Sequence, residues 1–196
     1  MIMFFVTVVI LIADIIISGG INIRKAKKQF IAKEKYIYVS KVTDTVAKNK
    51  PLVKKTCKQY KISKYEDIIM AMIQQESSGL GIDIMQSSES NYGKHNPVIS
   101  VEESVDAGVH YFSECLKSAK CKSPYNIKKL SLALQGYNYG RGFIKWTNDN
   151  YGGYSEKSAL IFSEKMKTEG HTNVYGDPKY VKHILRYYKK KRVKNT

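Results

Sequence analysis

The chain has 196 residues, 43% of them hydrophobic, with 15 Tyr and 6 Phe. That length favours one domain, and that apolar content excludes disorder as the main state. The formal charge of +16 raises a nucleic-acid reading, which the distribution of charge along the chain must support or remove.

Residues 1–17 read MIMFFVTVVILIADIII, and twelve of them are Leu, Ile, Val or Phe. Each contributes about −0.3 to −0.6 kcal/mol to insertion at a helix centre, and Asp14 opposes with roughly +2.5 to +3.5 kcal/mol. The aliphatic total is larger, so residues 1–23 are expected to be a transmembrane anchor or signal segment. It is the one long apolar run, which excludes a multi-span protein. The bases follow the span (Arg24, Lys25, Lys27, Lys28), and the positive-inside rule alone would keep the rest of the chain in the cytoplasm. Export and orientation stay open on that conflict.

Residues 24–44 read as a basic tether, and the wider stretch 24–60 carries a net +10. After Pro51 the pattern is helical. Ser63 and Glu66 have capping-box spacing ahead of Tyr65, Ile68, Ile69, Met72 and Ile73, with Gly79 as a stop. Ser100 and Glu103 repeat the box before Val105, Val109, Phe112 and Leu116. Ile127, Leu130, Leu134 and Tyr137 mark a third helix, and Ser155 caps a fourth that ends before Gly170. Asp177 and Pro178 are expected to open one basic amphipathic helix with Val181, Ile184, Leu185 and Tyr188 on one face. Residues 61–178 sum to −1 and residues 179–196 to +8. An all-α domain over 45–178, followed by a basic C-terminal helix and tail, is the predicted organisation. A short alternating run at Tyr36–Val39 is the one strand-like feature.

Cys57, Cys115 and Cys121 show no CxxC pair, so a zinc site is not expected. Cys115 and Cys121 have the spacing of a short-loop disulfide, with free thiols the equal alternative. His95, His110, His171 and His183 lack metal-ligand spacing, and no phosphate-binding glycine loop is present. No metal or cofactor is expected.

Glu76 breaks the pattern of the first helix. It occupies the next position of the stripe 65, 68, 69, 72, 73, at the helix C-terminus. Low dielectric and the negative end of the helix dipole both raise a carboxyl pKa there. A carboxyl that stays protonated near neutrality suits proton donation to a leaving glycosidic oxygen. The plain alternative is a Glu turned to solvent or paired with a core base.

Three segments then bear on that choice: QESSG at 75–79, MQSSES at 85–90 and YNYG at 137–140. Together, in this order, they resemble the goose-type lysozyme and lytic transglycosylase superfamily, and most closely the CwlT-like muramidase domain, over roughly residues 45–170. The resemblance implies a lysozyme-like helical fold with Glu76 as catalytic acid. It also implies that Ser77, Gln86, Tyr137 and Asn138 contact the glycan or support the acid. Hydrolysis usually uses a second carboxyl, and Glu89 and Asp83 are the candidates, Glu89 preferred. The implied activity is N-acetylmuramidase cleavage of the β-1,4 bond between N-acetylmuramic acid and N-acetylglucosamine. By the same resemblance the partners are peptidoglycan strands and a conjugation or secretion apparatus; the apolar run within residues 1–23 adds the membrane, with the enzyme membrane-anchored facing the wall or secreted. The competing readings are a lytic transglycosylase, a glycan-binding scaffold and a nucleic-acid binder. The near-neutral middle of the chain argues against the last.

Overall fold

The computed structural model describes residues 35–88, 98 and 100–193. The apolar segment 1–23, most of the tether, Glu89 and His95 lie outside the described residues. Among the described residues no helix is long and apolar enough to cross a membrane.

The element order is β1 (Lys35–Ser40), α1 (Asp44–Ala47), α2 (Lys50–Gln59), α3 (Glu66–Glu76), α4 (Val101–Ser118), α5 (Ile127–Tyr139), α6 (Gly142–Tyr151), α7 (Glu156–Glu169), α8 (Tyr180–Leu185) and β2 (Tyr188–Val193). Tyr38–Lys189 forms one compact unit, and the described residues 35–37 and 190–193 group apart from it.

Helix α3 is the axis of the helical unit. The stripe pattern predicts one buried face, yet every residue from Ile68 to Gln74 is buried. A helix apolar on all sides is one surrounded by others, and α1, α2 and α8 all pack on it. Burying an Ile or Met side chain stabilises by about 1.5–3 kcal/mol, so this helix anchors the core. Its start differs from the capping-box expectation: Ser63–Tyr65 is a 3-10 turn, and Tyr65 at the N-cap makes no side-chain cap. Glu66 and Asp67 in the first turn supply the favourable negative charge instead.

The caps expected at Ser100 and Ser155 form: Ser100 accepts from the Glu103 amide at 3.1 Å, and Ser155 forms a reciprocal box with Ser158. Asn126, not anticipated, caps α5 by accepting from the Lys129 amide. Helix α6, not anticipated, lies against α5 because Gly136 lets Ile144 approach. A Cβ there would sit 2.5 Å from Ile144 Cδ1.

The C-terminal segment corrects the expectation of one long amphipathic helix. Only Tyr180–Leu185 is helical, and Tyr188–Val193 is a strand paired with Lys35–Ser40. The strand-like run at Tyr36–Val39 is thus half of a ribbon. Tyr38 stacks on Tyr188 at 4.9 Å between ring centres, a cross-strand contact that a continuing helix could not make. Tyr180, Val181, Ile184 and Tyr188 are buried, so this segment belongs to the core. The three cysteines are free and buried.

Candidate active site

Glu76 is the last residue of α3, and its half-buried carboxyl accepts a hydrogen bond from the Tyr180 hydroxyl of α8. Burial pushes its pKa up from 4.5 to about 7; the Tyr180 bond pulls the other way, and the negative charges of Asp83 and Asp177 add to the rise. Tyr180 is itself buried, with its own pKa driven up, so it donates its proton and keeps it.

The chain leaves α3 through a tight loop. Ser78 and Gly79 take positive φ of 57° and 74°. Ser77 Oγ closes the turn, accepting from the Gly79 amide at 3.0 Å and donating to the Ile84 carbonyl at 2.9 Å. Ser77 thereby shapes the turn beneath the acid.

Asp83 anchors the next part of the loop. Its Oδ1 accepts from the Ser87 amide at 2.8 Å and from Ser104 Oγ at 2.7 Å. Its Oδ2 accepts from the Ser88 amide at 3.1 Å and Ser88 Oγ at 2.6 Å. Ser87 Oγ also lies 3.1 Å from Oδ1, so five donors converge on a carboxylate that offers about four lone-pair sites. Burial raises the Asp83 pKa, but the bonds from Ser88, Ser87 and Ser104 outweigh it and the net pKa is lowered. The loop therefore stands on an ionised carboxylate.

Met85 is wedged beneath that loop against α4. Gly108 makes room for it, since a Cβ there would lie 2.7 Å from Met85 Sδ. The Met85 amide donates to Ser104 Oγ at 3.0 Å, and its carbonyl accepts from the Tyr137 hydroxyl at 2.9 Å. Tyr137 is thus a buried support for the loop. Gln86 stands exposed at φ 49°, its amide nitrogen folded back on the Asp83 carbonyl at 3.0 Å.

Asn138 is half-buried and faces the other side. Its Oδ1 accepts from the Asp177 amide at 2.7 Å, and Gln135 Nε2 donates to the Asp177 carbonyl at 2.9 Å. Gly176, with φ 52°, lets the backbone pass; a Cβ would be 2.7 Å from Asn138 Oδ1. Asp177 Oδ2 lies 2.6 Å from His183 Nδ1. Sequence reasoning missed Tyr180, Asp177 and Gln135 as parts of this site. The one local signal was that Val181 and Ile184, beside Tyr180, share an apolar face.

The described part of the constellation combines a raised carboxyl with a buried hydroxyl donor, an ionised loop anchor, an exposed amide at Gln86 and a half-buried one at Asn138. That set can give and take one proton beside hydroxyl- and amide-bearing ligands. No group of three His, Cys, Asp or Glu able to hold a metal occurs among the described residues.

Residues 43–196 match the lysozyme-like family. The bifunctional muramidase/DL-endopeptidase CwlT of Bacillus subtilis is 36% identical over 148 residues, 76% of this chain and 43% of that protein. The membrane protein YocA of the same organism is 34% identical, over 67% of this chain and 55% of its own length. This chain therefore spans about half the length of these relatives. A Staphylococcus aureus protein similar to NLP/P60-family lipoproteins superposes with a TM-score of 0.63 at 33% identity, covering 74% of this chain and 53% of that one. The chain belongs to the lysozyme-like family, with a domain of the CwlT type.

Proposed function

We propose that this protein is a peptidoglycan glycosidase, an N-acetylmuramidase that cleaves the β-1,4 bond between N-acetylmuramic acid and N-acetylglucosamine. The observation that carries the reading is Glu76: a carboxyl at a helix end, held by Tyr180, with its pKa raised to about 7. Protonated Glu76 gives its proton to the glycosidic oxygen as the bond to the muramyl anomeric carbon breaks. The resulting carboxylate then accepts a proton from the incoming oxygen, which restores the acid. Tyr180 holds the carboxyl in one place through both halves.

Asp83 is assigned to loop positioning, since its lone pairs are already used. Glu89 is the acid put forward as a second carboxyl in the hydrolytic reaction. Gln86 and the Asn138 amide nitrogen are assigned to the sugar substituents, and Tyr137 and Ser77 to holding the loop. Residues 1–23 would tether the enzyme at the membrane facing the wall, where local opening serves a conjugation or secretion apparatus.

The saturation of Asp83 favours a second reading, lytic transglycosylation. There Glu76 works alone: the incoming oxygen is the muramyl 6-hydroxyl, and its proton passes to Glu76 as the 1,6-anhydro ring closes. Mass spectrometry of digested muropeptides separates the two, by reducing ends in one case and 1,6-anhydro ends in the other. Glu76→Gln is expected to abolish clearing of peptidoglycan while binding persists. Clearing that survives this change removes the assignment.

A further inference from the structure

A concavity lies at the meeting of the α4 C-terminus, the α5 N-terminus and α6, with a volume of about 470 Å³. That is the size of a small-ligand site. Lys120, Lys129, Arg141 and Lys145 line it, against one acid, Asp149. The residues 61–178 that contain it sum to −1, so this is a local concentration of cations in a near-neutral unit.

Two of the four cations are already paired: Arg141 with Glu114 at 3.3 Å and Lys145 with Asp149 at 2.5 Å. Lys120 and Lys129 make no ion pair with any described residue. Both also occupy positions that local physics disfavours. Lys120 follows the C-cap Ala119 at φ 51°, a left-handed position where glycine is the residue of least strain. Lys129 lies in the first turn of α5 beside Lys128, where the helix dipole disfavours positive charge and no acid is present. Two independent local costs therefore deliver two uncompensated ammonium groups to one hollow. Conflicts of this kind between local preference and sequence collect where a site needs them.

We propose that this hollow binds a phosphodiester polymer, one phosphate group seated between Lys120 and Lys129 and neighbouring ones passing Arg141 and Lys145. Several cations around one depression fit a flexible chain of spaced negative charges. A planar membrane cannot enter a concavity, so a lipid surface is the less suited source of the same phosphate chemistry.

The test is binding of poly(glycerol phosphate) to the full-length chain in detergent, read over a salt series, for wild type and for Lys120→Gly with Lys129→Gln. Lys120→Gly removes the charge and also relieves the left-handed backbone, so the variant should melt no lower than wild type. Its affinity should fall about tenfold and its salt slope by about two. Lys129→Glu alone should weaken binding further than Lys129→Gln alone. Equal affinity in the double variant would mean that the basic flanks do all the binding, and overturns the site. An equal loss toward vesicles of equal parts phosphatidylglycerol and phosphatidylcholine overturns the polymer as occupant in favour of a membrane. Reduced binding accompanied by a lowered melting point also overturns it, since the lysines would then be structural.

Discussion

Replacing Glu76 with glutamine should stabilise the protein, and by an amount that depends on pH. The carboxyl has a raised pKa in the folded chain, about 7 against an ordinary 4.5. A group with a raised folded pKa contributes stability that is fully present below the unfolded value and lost as pH rises through the folded one. Each unit corresponds to 1.36 kcal/mol, so ionising Glu76 costs about 3 kcal/mol once the pH is above 7. Burial is the largest cause of this cost, and the nearby Asp83 and Asp177 charges add to it. Glutamine carries no charge and can still accept from Tyr180 through its amide oxygen. Wild type and variant should therefore have nearly the same stability near pH 4. The variant should pull ahead between about pH 4.5 and 7 and stay about 3 kcal/mol ahead above that. For a unit of this size that is a rise of about 6–12 °C in melting temperature. Thermal unfolding of both proteins across that pH range reads the effect, with peptidoglycan clearing measured in parallel. A difference that does not change with pH would refute the argument, because then the raised pKa is not there.

Two further changes test the surroundings of the acid. Tyr180→Phe removes the hydrogen bond that favours the Glu76 carboxylate, so its pKa should climb above about 7 and the alkaline limb of the activity profile should move to higher pH, with kcat lowered several-fold. Asp83→Asn replaces an acceptor facing five donors with a group that is half donor. It should cost about 2–3 kcal/mol by urea unfolding and move the alkaline limb down, since a negative charge near Glu76 is gone. The stability Asp83 contributes is present above the ordinary aspartate pKa and is lost as pH falls through its lowered folded value, so the two proteins should converge in acid.

How much of this is legible in the sequence depends on distance along the chain. The place of Glu76 on the core face is readable locally, from the stripe at 65, 68, 69, 72 and 73 that it continues and the glycine stop at Gly79, whereas the catalytic role proposed for it comes from the resemblance carried by residues 75–79, 85–90 and 137–140. The caps at Ser100 and Ser155 are equally local, each resting on a three-residue spacing. Tyr180 lies 104 residues from the carboxyl it serves, and no local period announces such a partner. The same holds for Tyr137, whose hydroxyl reaches a carbonyl 52 residues away. Its position on an apolar stripe indicates burial, but not what the hydroxyl holds. The lysine-rich Tyr188–Val193 departs from expectation for a related reason. Strand or helix there is decided by a partner strand near residue 38, and the apolar spacing 181, 184, 185, 188 suits a helix on its own.

That departure bears on where the folded unit ends, and it can be tested by truncation. By charge alone, residues 179–196 are a detachable basic tail. By packing, they supply Tyr180, Val181, Ile184 and Tyr188 to the core, each 5% exposed or less. At about 1.5–3 kcal/mol for each such side chain, removing them withdraws about 6–12 kcal/mol. The whole stability of a domain is about 5–15 kcal/mol. A chain stopped after Pro178 should therefore lose cooperative unfolding, and with it part of the burial that raises the Glu76 pKa. Urea titration followed by tryptophan fluorescence at Trp146 measures the first effect, and peptidoglycan clearing the second. A truncated chain that unfolds cooperatively and clears peptidoglycan at the wild-type rate would return the segment to the status of a tail. The opposite result makes the C-terminal segment part of the candidate active site, with Tyr180 closing on the Glu76 carboxyl.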